Sequence, residues 1–190
     1  MSSAIADLLR ATARERRSFI VMAVPRLAGK STVLHAMVSE RPRKAPLRTV
    51  AADEDDIDKL LADARGGYIV IPEISRGAHA PGYIWGAPVR RIFRGIGADT
   101  SLAVALHAPG PEEAFDIICR GCAVPDADAS KISLVVYLRS LGHWEEPTRR
   151  VVDAVHEISG VRDGRPTTRP LFQWDEQNDR FVTPPQARGG

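Results

Sequence analysis

The sequence predicts an α/β fold in which a mostly parallel sheet is followed by a C-terminal antiparallel β meander. Short apolar runs alternate with helical patterns up to residue 129, which is typical of parallel strands joined by helices. After residue 130, strand patterns follow one another directly between turn residues such as Asp163–Gly164. With 190 residues, of which 44% are hydrophobic and 26% charged, the chain has the size and composition of one globular domain.

Helices are predicted where apolar residues recur every three or four positions, and buried strands where apolar residues run together. The first helix, for example, places Ile5, Leu8 and Leu9 on one face. The predicted helices cover residues 2–17, 30–39, 53–64, 89–96 and 112–120. The predicted buried strands cover residues 19–24, 47–52, 68–71 and 101–107. Residues 75–88 are rich in Gly, Pro and Ala, so we expect a loop there.

The last third of the chain predicts the four strands of the meander, at residues 131–141, 149–161, 167–175 and 179–183. Turn residues at Gly142–His143, Asp163–Gly164 and Asn178–Asp179 separate these strands. We therefore expect a single domain over residues 1–182, with a core over 1–129 and the meander over 130–182. Residues 183–190 are expected to form a disordered tail.

Composition and charge exclude several classes of protein. The formal net charge is only +2, so nothing indicates a nucleic-acid partner. No run of 18 apolar residues is present, which argues against a hydrophobic helix that spans a membrane. The 2 cysteines do not make a disulfide scaffold, and the charged N-terminus lacks the apolar segment of a secretory signal. We therefore expect a protein of the reducing cytoplasm.

The most informative motif is VPRLAGKST at residues 24–32, between a predicted buried strand and a predicted helix. This is the setting of a phosphate-binding loop, in which backbone N–H groups at a helix start surround a phosphate. Lys30 would reach the terminal phosphates of a nucleotide, Ser31 would ligate Mg²⁺, and Gly29 would allow close approach of the backbone. With ATP and Mg²⁺ as ligands, the predicted binding residues are Pro25, Arg26, Leu27, Ala28, Gly29, Lys30, Ser31 and Thr32.

The motif departs from the full pattern at two positions. The pattern has glycine where this chain has Val24, and many such loops have a small residue where it has Leu27. A positive φ angle at either position would strain the branched side chain. The alternative interpretation is an ordinary turn between strand and helix, with Lys30 and Ser31 as the first helical residues.

Two residues at predicted strand ends are candidate catalytic groups, because ligands of parallel sheets lie beyond the carboxyl ends of the strands. Glu73 follows an apolar strand and would hold the attacking water as a general base; otherwise it is a surface acid. His107 ends the fourth strand and would polarise the terminal phosphate, unless a loop carbonyl satisfies it. Asp53 and Glu54 either lie near the metal or begin the next helix as capping residues.

Two further groups of residues have competing interpretations. One group is the three arginines Arg90, Arg91 and Arg94. They would either contact phosphate, in this subunit or in a neighbouring one, or form a basic face exposed to solvent. We favour the exposed basic face. Cys119 and Cys122 form a C-x-x-C pair, which is at most half of a zinc site. We expect them to be buried helical thiols.

Several segments resemble, in order, the motor ATPases of type II and type IV secretion and of pilus assembly, especially the tight-adherence pilus and type IV secretion branch. The likeness covers nearly all of residues 4–182 and only the C-terminal motor domain of that family. Residues 8–38 resemble its approach helix, first strand and Walker A motif. YIVIPEI at 68–74 resembles its atypical Walker B motif, and residues 90–108 its histidine box. The segments after residue 130 resemble its C-terminal strands.

This resemblance implies a RecA-type P-loop core and a Mg²⁺-dependent ATPase. It also implies a homo-oligomer, such as a hexameric ring, that acts on a platform protein at the cytoplasmic face of the inner membrane. Lys30 and Ser31 would bind phosphate and metal, Glu73 would be catalytic, and His107 would be the histidine of its box. The acidic-box residue falls on Asp53 or Glu54.

The departures from the family define two alternatives. Val24, Leu27 and Pro72 stand where the family's motifs have other residue types. The family's N-terminal domain contributes arginines to the nucleotide site, and it has no counterpart in these 190 residues. The chain would then be a degenerate interaction module that does not hydrolyse ATP. A small P-loop kinase with the three arginines in a lid is a weaker alternative, against which the antiparallel C-terminal third argues.

Overall fold

The computed structural model describes residues 2–24, 27–51, 56–77, 81–97, 99–143 and 145–184. The strands are β1 Ser18–Ala23, β2 Leu47–Thr49, β3 Tyr68–Ile74, β4 Tyr83–Ile84, β5 Ser101–Leu106, β6 Ile132–Gly142, β7 Pro147–Arg162, β8 Arg165–Asp175 and β9 Arg180–Val182. The helices are α1 Ser3–Arg14, α2 Lys30–Ser39, α3 Ile57–Asp63, α4 Ala87–Gly95, α5 Pro111–Phe115 and α6 Asp126–Ala129, and a π-helix, Asp116–Gly121, follows α5. None of these helices is long and apolar enough to cross a membrane.

Within the described residues the strands form one sheet, in the order β2–β3–β5–β1–β6–β7–β8–β9. The short strand β4 pairs with the last residues of β3, Glu73 and Ile74, after the stretch of β3 that pairs with β2. The pairs from β2 to β6 are parallel, and the pairs from β6 to β9 are antiparallel. The prediction of a mostly parallel sheet followed by antiparallel strands is therefore confirmed.

Helices cover both faces of the parallel part of the sheet, because its strands alternate their apolar side chains between two cores. On one face, Phe19 and Val21 of β1 pack with α1, α2 and the inner side of β6 and β7. On the other face, Ile20 and Met22 pack with α3, α4, α5 and the π-helix. All six residues of β1 are buried, which explains the unbroken apolar run at its position.

Local signals explain where several elements begin and end. The Ser2 side chain accepts a hydrogen bond from the Ile5 N–H and caps α1. Asp56 caps α3 in the same way, with its carboxylate accepting from the Lys59 N–H at 3.1 Å. Asp163 and Gly164 form the two-residue turn between β7 and β8, with φ angles of 53° and 74°. This turn was predicted from the Asp-Gly pair, which favours a left-handed backbone.

The structure corrects the sequence prediction in several elements. The predicted loop at 75–88 contains the short strand β4, and α4 begins within it at Ala87. The helix predicted over 112–120 is α5 followed by the π-helix, and α6 was not predicted. The helix predicted over 53–64 begins at Ile57, while residues 52–55 lie outside the described part of the chain.

The change of pattern after residue 130 is a change of pairing direction within a continuous sheet. The first strand of the predicted meander, β6, is a parallel neighbour of β1, with Ala23 opposite Leu138. Only from β7 onward are the strands antiparallel. The sequence could not distinguish these cases, because a strand that is apolar on both faces, as β6 is over Leu134, Val135 and Val136, has the same pattern beside a parallel or an antiparallel neighbour. Most of the predicted tail, residues 185–190, lies outside the described residues.

Candidate phosphate-binding site

The candidate site lies at the carboxyl edge of the parallel strands, where three chain segments meet. The loop after β1 leads into α2 at Lys30. His107 follows directly after β5, the neighbour of β1, and Glu73 lies near the end of β3, the neighbour of β5. The parallel pairing thus places three residues from distant parts of the sequence on one edge of the sheet.

The loop before α2 ends in a left-handed backbone conformation at the start of the helix. Gly29 has a φ angle of 94° and is the N-cap of α2, a left-handed conformation that favours glycine. The first N–H groups of a helix have no acceptor inside the helix, so those at the start of α2 face the loop. Leu27 is also left-handed, with φ of 65°, so the condition under which the sequence analysis expects strain at this position is met. Pro25 and Arg26 lie outside the described residues.

Lys30, Glu73 and His107 are in direct contact. The Lys30 Nζ atom lies 2.8 Å from His107 Nε2 and 3.4 Å from Glu73 Oε2. His107 Nε2 lies 3.9 Å from the same carboxylate oxygen. The lysine and glutamate side chains are 11% and 5% exposed, so their attraction is little screened by solvent.

The contacts of His107 indicate which of its nitrogens carries the proton. Nδ1 lies 3.1 Å from the carbonyl oxygen of Ala23, which can only accept a hydrogen bond. The Nδ1–H group therefore donates to Ala23, and the unprotonated Nε2 accepts from the Lys30 ammonium group. His107 is thus anchored by a backbone carbonyl while also contacting the lysine, whose Nζ atom lies 3.3 Å from Nδ1 as well.

Glu73 is a buried residue, which corrects the alternative interpretation of it as a surface acid. Its exposed fraction is 4%, and β3 continues through it to Ile74. The pairing of β3 with β5 shifts register between Ile71 and Ile74. Pro72 lies in this irregular stretch, and it has no N–H group to donate to a neighbouring strand. The Oε1 atom of Glu73 is buried and has no hydrogen-bond partner among the described residues.

A cavity of about 810 Å³ opens over the loop. One wall is the loop and the first turn of α2, including Lys30, Ser31 and Thr32. The cavity is also lined by the apolar residues Leu138, Val151 and Val152 of β6 and β7, and by Tyr83, His107 and Arg150. This volume lies within the range of small-molecule sites, about 300–1,000 Å³.

Arg150 is a site residue that the sequence analysis missed. Its Nε–H group donates to the Leu27 carbonyl oxygen at 2.7 Å, across 123 residues of sequence. Its position follows from sheet pairing: β6 lies beside β1, and β7 returns from the same edge. The available signal was the adjacent pair Arg149 and Arg150 at the start of a predicted strand, because neighbouring residues of a strand face opposite sides.

The residues around the loop fit a phosphate with an associated divalent cation. Ser31 is exposed and lines the cavity, so its hydroxyl is available to a ligand there. The buried, unpartnered Glu73 Oε1 is the kind of hard oxygen that Mg²⁺ or its bound water takes as a neighbour. Asp53 and Glu54, the candidates for a further acidic group, lie outside the described residues.

The three arginines of α4 have contacts away from this cavity. Arg90 donates to the Cys122 carbonyl oxygen at 3.2 Å, and Arg91 forms an exposed ion pair with Asp58. Neither they nor Arg94 is among the described residues that line the cavity. These contacts agree with the interpretation as a largely solvated basic face.

Both cysteines are free thiols near the π-helix. Cys119 is half-buried, and Cys122 is buried and accepts a hydrogen bond from the Gly86 N–H at 3.4 Å. Burial raises the pKa of the Cys119 thiol to about 11 and also raises the pKa of Cys122. A raised pKa leaves little thiolate at neutral pH, so the environment disfavours redox or nucleophilic chemistry.

Comparison with known proteins establishes the fold. No protein-family model matches the sequence, and no curated protein matches it. The solved structure of the VirB11 ATPase from the Brucella suis type IV secretion system, in complex with sulphate, matches 80% of this chain with a TM-score of 0.56 and 17% identity. The ATPase DotB of Legionella pneumophila matches 84% of it with a TM-score of 0.54 and 11% identity.

The chain spans about half the length of these two proteins, 51% and 49%. At these identities the likeness concerns the fold. This chain therefore has a mixed α/β fold of the kind found in secretion ATPases.

Proposed function

We propose that the chain is a Mg²⁺-dependent ATPase domain of the secretion and pilus motor type. The observation that carries the proposal is the convergence of Lys30, Glu73 and His107 beside the start of α2, at distances of 2.8–3.9 Å. This convergence occurs on a fold shared with two ATPases, one of which belongs to a type IV secretion system.

Phosphate binding is assigned to the loop and the first turn of α2. The N–H groups of Gly29 to Thr32 would surround the phosphates, and the Lys30 ammonium group would exchange its Glu73 contact for a phosphate oxygen. Pro25 and Arg26 complete the predicted loop. When bound, Mg²⁺ would be held by the Ser31 hydroxyl and would neutralise charge on the phosphates.

Glu73 is assigned to the water that attacks the terminal phosphate. Its carboxylate would accept a proton from that water, and burial beside Lys30 keeps the group oriented. His107, with its Nδ1–H held by Ala23, presents Nε2 toward Lys30 and thereby positions the ammonium group. Catalysis then depends mainly on charges that are oriented before the nucleotide arrives.

The proposal extends to assembly and location. Sites of this type are completed by a neighbouring subunit, so we propose a homo-oligomer, such as a hexameric ring. It would act in the cytoplasm on a platform protein at the inner membrane. Light scattering with ATP and Mg²⁺ tests this part, and a monomer under those conditions would contradict it.

The first experiment is calorimetric titration of ATP with Mg²⁺ into the wild-type protein and Lys30→Ala. We expect micromolar affinity for the wild type and a loss of at least about 30-fold in the variant, because the variant lacks the ammonium group that would bind a phosphate oxygen. Lys59→Ala is the matched control, since it removes the same charge from an exposed side chain of α3. Equal affinity in Lys30→Ala and wild type would contradict the assigned site.

The second experiment measures turnover. Glu73→Gln is expected to retain ATP binding and to lower the hydrolysis rate about 100-fold or more. Glu112→Gln, an exposed residue of α5, is the control. Binding without hydrolysis in the wild type would favour the interaction module, for which the Leu27 strain and Pro72 are the supporting observations.

A further inference from the structure

We propose that Arg150 is a second phosphate-binding cation of this site, contributed by the antiparallel part of the sheet. The inference rests on the proposed function and deepens it. It assigns a ligand-contacting role to a strand that lies outside the phosphate-loop motif and the two catalytic candidates.

The first observation is the position of Arg150 across the loop before α2. Arg150 lies near the start of β7, opposite Ser140 of β6. Its side chain crosses the loop: Nε donates to the Leu27 carbonyl oxygen at 2.7 Å. Its Cδ atom lies 3.5 Å from the point where a Cβ on Gly29 would stand. The aliphatic part of Arg150 therefore lies over Gly29, at the end of the loop where α2 begins.

The second observation is the number of N–H groups of Arg150 that are available to a ligand. A guanidinium group has five N–H donors in a planar fork, and the Leu27 contact uses the one on Nε. Within the described residues, the terminal nitrogens of Arg150 have no protein acceptor. Arg150 lines the cavity together with Lys30 and Ser31. Four donors thus remain for a ligand in the same cavity, in the geometry that recognises phosphate oxygens.

The third observation is the balance of charged side chains in and beside the cavity. Among the described residues that line the cavity are two cations, Lys30 and Arg150, and no carboxylate. Glu73 lies behind Lys30, with Oε1 unpartnered. Glu73 is thus one carboxylate beside the two cations Lys30 and Arg150. The excess positive charge and the free donors suit an anion with several phosphate groups better than a neutral ligand.

The neighbouring Arg149 shows that these features are specific to Arg150. It lies on the opposite side of β7, where its guanidinium pairs with Asp179 at 2.8 Å and lies 5.6 Å from the Trp174 ring. Its charge is neutralised there, and it is not among the described residues that line the cavity. Arg149→Ala is therefore a control with the same change of charge and composition one residue away.

The test titrates ATP with Mg²⁺, and separately inorganic triphosphate, into wild type, Arg150→Ala, Arg150→Lys and Arg149→Ala. We expect Arg150→Ala to weaken binding of both ligands by about 10- to 100-fold, the range for a hydrogen bond to a charged group. Arg150→Lys should recover part of the loss, because it keeps the charge without the fork. Arg149→Ala should bind like the wild type.

Thermal unfolding of the same variants separates ligand contact from loop support. A phosphate contact predicts that Arg150→Ala shows a smaller ligand-induced rise in Tm than wild type, whatever its Tm without ligand. This proposal is overturned if Arg150→Ala has the affinity and the ligand-induced rise in Tm of the wild type while Lys30→Ala has lost binding. The proposed function would then remain intact. No binding of ATP or triphosphate to the wild type would overturn both.

Discussion

Leu27 illustrates, at the scale of single residues, a loop held against the preference of its side chain. Its φ angle of 65° is left-handed, and its side chain is 56% exposed, so little burial offsets the strain. The hydrogen bond from Arg150 to its carbonyl oxygen helps to hold this conformation. Strained backbone of this kind often lies at binding sites, where the surrounding structure maintains it.

Leu27→Gly is expected to raise the free energy of unfolding by about 1 kcal/mol, because glycine adopts a left-handed backbone without steric cost. Urea unfolding measures the change. Leu27→Ala is the control, since it removes the side chain but keeps the Cβ atom and the strain. If alanine stabilises the protein as much as glycine, exposure of the leucine side chain is the cause and the backbone is not.

The cysteine thiols give a prediction about pH. Burial raises the pKa of Cys119 from an ordinary 9.0 to about 11, so the folded state binds this proton more tightly than the unfolded chain. The resulting contribution to stability is complete below about pH 9 and is lost as the pH rises toward about 11. The free energy of unfolding of Cys119→Ala should therefore fall less over this interval than that of the wild type.

Chain order dictates the positions of three residues at this scale. Lys30, Glu73 and His107 each lie near or beyond the carboxyl end of a buried parallel strand, and such ends meet at one edge of a sheet. Their roles in binding and catalysis stay predictions. Arg150 could not be found in this way. Its contact with Leu27 spans 123 residues and depends on β6 pairing with β1, which no local pattern specifies.

At the scale of elements, β3 and β4 form an irregular part of the sheet. Pro72 lies where the register of β3 against β5 shifts, and β4 pairs with β3 through Glu73 and Tyr83. Gly82 makes this pairing possible: a Cβ there would stand 2.6 Å from the Pro72 ring and 3.0 Å from the Val50 carbonyl oxygen. The strand that carries Glu73 thus depends on a glycine outside the site.

Gly82→Ala is expected to lower the free energy of unfolding by about 2 kcal/mol more than Gly66→Ala. The two glycines have nearly equal φ angles, +82° and +83°, but the space beside Gly66 is open. The difference between the variants therefore measures the clash with Pro72 and Val50 alone. Equal losses in chemical denaturation would mean that β4 moves away from β3 at little cost.

Element boundaries were predictable where a local signal marks them. The predicted bounds of α2 were correct because a left-handed glycine precedes Lys30 and α2 carries its own apolar stripe. The two-residue strand β4 was missed, since it forms only by pairing with the end of β3 that β2 does not reach. The π-helix after α5 has no sequence signal that distinguishes it from an ordinary helical turn.

At the scale of the whole molecule, the parallel and antiparallel strands share one core. Val152 and Val155 of β7 are buried with Phe19 and Val21 of β1, in the cluster that also contains residues of α1 and α2. The single domain predicted over 1–182 has support in this shared packing and stays a prediction. Its test is whether the two parts of the sheet unfold together.

We expect one cooperative transition in urea, with coincident curves from far-ultraviolet circular dichroism and from tryptophan fluorescence, to which buried Trp174 of β8 contributes. Val155→Ala should shift both curves equally and lower the free energy of unfolding by about 1–3 kcal/mol, because a fully buried side chain loses packing. An earlier fluorescence transition would mean that the antiparallel strands unfold by themselves.

In mechanical terms, the Arg150 contact closes a linkage. From the Leu27 carbonyl the path runs back into β1, across the hydrogen-bonded ladder to β6, across a second ladder to β7, and through Arg150 to Leu27 again. Sliding β7 along its axis must therefore either carry the loop with it or break that hydrogen bond. A load applied to the antiparallel strands would reach the loop before α2 without passing through the helices.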